Sequence, residues 1–182
     1  MAAASIVTTP RPISIERYLN RNNFRPDVDF VDGRLVSRNI GEFDHADVVG
    51  ELSFRLGSKE EEWSIIGLIS VRVRVSATRV RIPDLCVLDA NLNHEQVIDH
   101  PPMLCIEVLG SEDTVTAMRE RTQDFLDMGV PEVWIFDPQT LTAYACTPES
   151  MTDHKDGILR LVGTEIELSI AEAFKPRKIR QS

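Results

Sequence analysis

The sequence predicts a mixed α/β domain: a central sheet flanked by helices, with a β-hairpin near the N-terminus. Three observations carry this expectation. Residues 82–88, 103–109 and 133–136 are short apolar runs bounded by turn residues, the pattern of buried strands. Segments with apolar residues at helical spacing lie before the first of these runs and between the last two. Asp32-Gly33, set between Phe30-Val31 and Leu35-Val36, has the chemistry of a two-residue hairpin turn.

Taken in order, residues 1–13 read as a flexible arm holding Pro10 and Pro12, followed by a short helix from Ser14 to Leu19 with Ser14 as its cap. After the hairpin, a helix is expected over residues 44–56. Asp44 would cap it, Gly57 would end it, and Val48, Val49, Leu52 and Leu56 would form its apolar stripe. Lys59-Glu60-Glu61-Glu62 reads as a solvated turn. Residues 65–75 and 79–88 form a predicted strand pair, in which Arg72, Arg74, Arg79 and Arg81 alternate with apolar residues. That ribbon face is either a set of phosphate contacts or simply solvated. A polar connection over residues 91–102 leads to the strand carrying Glu107. Gly110 and Ser111 break that strand, and a helix over residues 113–128 follows, with Val115, Met118, Phe125 and Leu126 facing inward and Gly129 and Pro131 stopping it. Residues 142–146 read as an edge strand, residues 159–168 as a hairpin around Gly163, and Ser169 with Glu172 as the capping box of a last short helix. The domain is expected over residues 14–174, with a basic tail at 175–182.

A chain of 182 residues suits one domain with a real core, and 42% hydrophobic with 27% charged residues is ordinary for a globular protein. The net charge of −9 argues against non-specific nucleic-acid binding through a general positive field. Cys86, Cys105 and Cys146 lack metal-ligand spacing and read as buried thiols in a reducing cytoplasm. No signal peptide and no membrane-spanning run is expected.

Two acids stand out. Asp84 and Glu107 lie within otherwise apolar runs, where a carboxylate is costly unless paired, hydrogen-bonded or bound to a metal. Side-chain alternation puts Asp84 with Ile82, Cys86 and Leu88, and Glu107 with Met103, Cys105 and Leu109. Both faces are apolar, so the pair points to one pocket and a shared cation, or to structural acids bonded to arginine or backbone.

Residues 81–84 (Arg-Ile-Pro-Asp), 105–111 (Cys-Ile-Glu-Val-Leu-Gly-Ser) and 125–138 (Phe-Leu-Asp-Met-Gly-Val-Pro-Glu-Val-Trp-Ile-Phe-Asp-Pro) resemble, in this order, the Uma-type putative restriction endonuclease family of the PD-(D/E)XK superfamily. The Asp32-Gly33 hairpin and His45 match as well, and the resemblance spans residues 14 to 174. It implies a restriction-endonuclease-like core, a metal site of Mg²⁺ or Mn²⁺ at Asp84 and Glu107, and hydrolysis of DNA by a metal-activated water. It also implies a homodimer. Two departures bear on catalysis. The motif's lysine, two residues after the second acid, is Leu109. A lysine that many members carry on the following helix is Arg121, which stays protonated and so contacts a phosphate rather than acting as a base. Arg121 could equally make a surface salt bridge. Arg34 stands where an acid is common in the family. His45 is either a satisfied buried histidine or a proton carrier near the metal. Glu42 is a further candidate acid, and Glu112 and Asp113 are expected to serve the helix N-terminus. The alternative function is a catalytically impaired nuclease fold that binds nucleic acid or another protein.

Overall fold

The computed structural model describes residues 6–7, 12–20, 28–38, 42–93, 95–154 and 156–175. Its elements in chain order are β1 (Ile6–Val7), α1 (Ile15–Leu19), β2 (Asp29–Val31), β3 (Arg34–Val36), α2 (Phe43–Gly57), α3 (Glu60–Trp63), β4 (Ile65–Ile69), β5 (Arg79–Val80), β6 (Leu85–Asp89), β7 (Leu104–Val108), α4 (Val115–Met128), β8 (Val133–Asp137), β9 (Thr142–Cys146), β10 (Met151–Asp153), β11 (Ile158–Arg160), β12 (Glu167–Ser169) and α5 (Ile170–Ala173).

Six strands form the central sheet in the order β10-β9-β8-β7-β6-β4, antiparallel throughout except for β7 beside β8. That parallel pair needs a crossover, and α4 supplies it. Side-chain alternation divides the core between two faces. Leu85, Val87, Leu104, Ile106, Val108, Trp134 and Phe136 pack with Val48, Leu52 and Leu56 of α2. Cys86, Leu88, Cys105, Val133 and Ile135 pack with Phe125 and Leu126 of α4. A four-stranded antiparallel sheet, β1-β3-β2-β5, stands beside this core, and α1 closes it. There Tyr18 stacks on Phe30 and its hydroxyl donates to the Val28 carbonyl at 2.7 Å.

The hairpin forms as the sequence predicts. Asp32 and Gly33 both have positive φ, 48° and 84°, the pairing that suits a twisted two-strand turn. A Cβ on Gly33 would also sit 2.9 Å from the Pro12 side chain, so the position requires glycine twice over. Helix α1 is capped by Ser14, α4 by Thr114 with Gly129 in the left-handed region at its end, and α5 by Ser169, which accepts from the Glu172 N–H.

Several expectations are corrected. Ile6–Val7 pairs with β3 where a loose arm was expected. Asp44 lies inside α2, whose N-cap is Glu42, and the acidic turn at 60–62 is the short helix α3. Strand β4 stops at Ile69, because Ser70 takes a positive φ of 53°. Beyond it, residues 71–75 make only isolated bridges, from Val73 to Arg81 and to Ile98. The predicted strand 79–88 is split around Pro83 into β5 and β6, which belong to different sheets. Strand β9 is interior, since β10 covers its outer side. Val115 is 63% exposed, and Thr122 takes a buried place on α4 instead. Met103 precedes β7 and packs with the α2 face rather than beside Glu107. The basic tail from residue 176 onward lies outside the described residues.

Strand β4 ends the central sheet, and on its open side the Gly67 N–H donates to Glu60 Oε1 at 2.7 Å.

Candidate active site

The β6–β7 ladder runs through Val87↔Leu104, Cys86↔Cys105 and Leu85↔Ile106. One further step would set Asp84 opposite Glu107, and there the strands part. Pro83 cannot continue the ladder, and the N–H of Val108 donates to Asp84 Oδ2 at 2.8 Å. Both acids therefore stand at the divergence of two central strands, 4% and 5% exposed. Glu107 keeps the parity expected of it, on the side of Cys105 and α4.

Arg121, on the second turn of α4, reaches this point and not the surface. Its Nη2 donates to Glu107 Oε2 at 2.6 Å and to the Ile82 carbonyl at 3.3 Å. His45, on the buried face of α2, brings Nε2 to 3.3 Å from Asp84 Oδ2, off the line of a hydrogen bond. Asp84 Oδ1 accepts from Arg38 Nη2 at 2.5 Å, and the Arg38 side chain is only 3% exposed. Arg38 was not singled out by sequence. It follows β3 by two residues and meets an acid 46 positions away, so no local spacing could have flagged it.

The surroundings drive the two carboxyls apart. Burial pushes Glu107 up to about 8, with Arg121 opposing and the charge of Asp84 adding to the rise. Burial also acts to raise Asp84, but the His45 imidazole and the charges of Arg38 and Arg121 outweigh it, and its carboxyl is held below the usual range. Asp113 lines a cavity of about 10 Å³ with Glu107, Leu109, Met118 and Arg121, about the room for one water. Its own carboxyl is raised by burial, partly offset by the Gly110 N–H that it accepts at 2.8 Å.

Other candidates fall elsewhere. Exposed Glu42 binds the N–H of Ser111 at 2.8 Å and its hydroxyl, so it ties α2 to the loop before α4. Arg34 and Glu112 are exposed. The arginine ribbon is the solvated face expected of it only at Arg74. Arg81 is buried between Asp29 at 3.1 Å and Asp124 at 2.6 Å, and Arg79 pairs with Asp32, Glu120 and Asp124. Arg72 lies over the Tyr18 ring, and of the four only Arg74 is exposed.

Whether these residues suit a divalent metal can be asked of their free atoms. Among the described residues Glu107 Oε1 is buried and has no hydrogen-bond partner, while both Asp84 oxygens already accept, from Arg38 and from the Val108 N–H. Two carboxylates fit a hard cation that keeps most of its waters. Among the described residues no group of three or more metal-ligating side chains converges, so the protein would contribute few ligands.

The mixed α/β core with its six-stranded sheet has a nuclease-like fold. It is similar to the crystal structure of a putative nuclease belonging to DUF820 from Anabaena variabilis, with a TM-score of 0.78 over 90% of this chain and 98% of that one. At 18% identity the likeness is one of fold. The Uma2 model, described as "Putative restriction endonuclease", matches residues 15–170, and the chain belongs to that family. No curated protein matches it. Among the described residues no helix is long and apolar enough to cross a membrane.

Proposed function

We propose that the protein hydrolyses DNA phosphodiester bonds with a divalent cation, Mg²⁺ or Mn²⁺, held by Asp84 and Glu107. One observation carries this reading. Among the described residues, five buried side-chain polar atoms lack a hydrogen-bond partner, and four of them (Arg38 Nε, His45 Nε2, Glu107 Oε1 and Arg121 Nε) belong to this single cluster. Native interiors leave few such atoms, so their concentration at one point supports a place built for a polar ligand.

When bound, the cation supplies Lewis-acid stabilisation of the phosphodiester and activation of water. The chain's own residues do the rest. Glu107 offers Oε1 while Arg121 fixes Oε2, and Asp84, whose oxygens accept from Arg38 and the Val108 N–H, would join it by giving up the Arg38 bond. Arg121, bonded to Glu107 and with Nε toward Asp29 at 3.9 Å, offsets charge there without moving a proton. His45, against Asp84, is the group suited to carry a proton at the site's edge.

The test is cleavage of plasmid and single-stranded DNA with Mg²⁺ or Mn²⁺ by wild type, Asp84→Ala and Glu107→Ala. Metal-dependent cleavage abolished by either substitution is the expected result. A specific feature favours the second reading, an impaired nuclease fold acting as a binding module: Leu109 leaves the site without the motif's amine. A folded wild type that neither cleaves nor binds metal would establish that reading instead.

A further inference from the structure

We propose that Arg38 is an internal counter-cation that competes with the metal for Asp84 and so sets the metal affinity of the site. This rests on the metal-dependent reading above.

The two acids are unequally available. Glu107 gives one oxygen to Arg121 and, among the described residues, keeps the other without a partner. Asp84 keeps neither: Oδ1 takes the Arg38 guanidinium at 2.5 Å, and Oδ2 takes the Val108 N–H at 2.8 Å with His45 alongside. The backbone bond is part of how the strands diverge and cannot be given up without moving β7. The Arg38 bond can be, because that side chain comes from the segment after the hairpin and not from the central sheet. A cation held by Asp84 and Glu107 would therefore compete with Arg38 for Asp84 Oδ1.

Charge argues the same way. With both carboxyls ionised, as a bound cation would hold them, they and the guanidiniums of Arg38 and Arg121 formally sum to zero. A neutral cluster attracts a dication weakly, whereas release of one guanidinium restores a net negative charge facing the ion. Arg121 is held by Glu107 and the Ile82 carbonyl together, while among the described residues Arg38 has Asp84 as its only hydrogen-bond acceptor. Arg38 is the guanidinium that yields.

The experiment is calorimetric titration of the full chain with Mn²⁺, together with its thermal unfolding with and without Mn²⁺. Wild type, Arg38→Gln, Arg38→Lys and Asp84→Asn are compared. Arg38→Gln is expected to bind Mn²⁺ about tenfold more tightly than wild type, the worth of one charge-assisted hydrogen bond. Its melting temperature should rise more on adding Mn²⁺ than that of wild type. Arg38→Lys, a compact charge without the planar fork, should fall between them and carries the comparison if Arg38→Gln does not fold. Equal or weaker binding by the arginine variants, with wild-type binding intact, overturns the proposal and leaves the metal reading standing. No binding by any variant, or undiminished binding by Asp84→Asn, overturns both.

Discussion

Glu107 carries a carboxyl that burial pushes up to about 8 from an ordinary 4.5, even with Arg121 bonded to it. A raised acid binds its proton more strongly folded than unfolded. Between about 4.5 and about 8 the unfolded chain has released that proton and the native chain has not, so rising pH erodes stability across this window and no further above it. Asp84 runs the other way: its lowered carboxyl contributes stability above 3.8 that is lost as pH falls through its folded value. In metal-free buffer, Glu107→Gln should therefore stabilise the protein at pH 8 by a few kcal/mol, at ~1.4 kcal/mol per pH unit of the window, and change it little at pH 5. Urea unfolding at both pH values checks this, and an equal effect at both would refute it. Asp84 and Glu107 themselves were legible in the sequence, because an acid in an apolar run is visible at once. Arg38 was not, since a long-range pair leaves no local trace.

At the scale of elements, the buried ion pairs explain how the hairpin sheet is held to the site. Asp29 of β2 accepts from Arg81 at 3.1 Å and from the Ile82 N–H at 3.0 Å, while Arg81 also binds Asp124 of α4 at 2.6 Å. The same Asp29 oxygen lies 3.9 Å from Arg121 Nε. Replacing Arg81 by Leu leaves a carboxylate that is 1% exposed without its main counter-charge, and should cost about 3 kcal/mol or more in denaturant unfolding. Gly129 ends α4 at φ 104°, and an added Cβ would press on the Pro101 ring at 3.3 Å. Gly129→Ala should cost about 1–2 kcal/mol by the same measurement. These elements also show where sequence reading stopped. Periodicity located α2, α4 and the three central strands correctly. It misread residues 71–81, because alternating Val and Arg satisfy a strand pattern whether the arginines face water or distant acids. Their partners Asp29, Asp124 and Glu120 lie 39 to 52 positions from Arg81.

For the molecule as a whole, a net charge of −9 sets a general field that repels a polyanion. Duplex DNA should consequently bind, by fluorescence anisotropy at low salt, when Mg²⁺ is present and fail to bind in EDTA. Binding that survives EDTA would mean that a basic patch, not the metal, recruits the nucleic acid.

The bond from Gly67 to Glu60 has a consequence for how the protein behaves in company. An outermost strand of isoleucine, leucine and glycine is a template on which another extended chain can grow, and the usual defence is a charge set against its open amides. Here the defence is a single carboxylate delivered by a one-turn helix. Glu60→Ala should leave folding and the acid pair intact and yet make the protein prone to sticky, concentration-dependent assembly on storage, visible as rising light scattering. Solubility at that edge of the molecule hangs on one side chain.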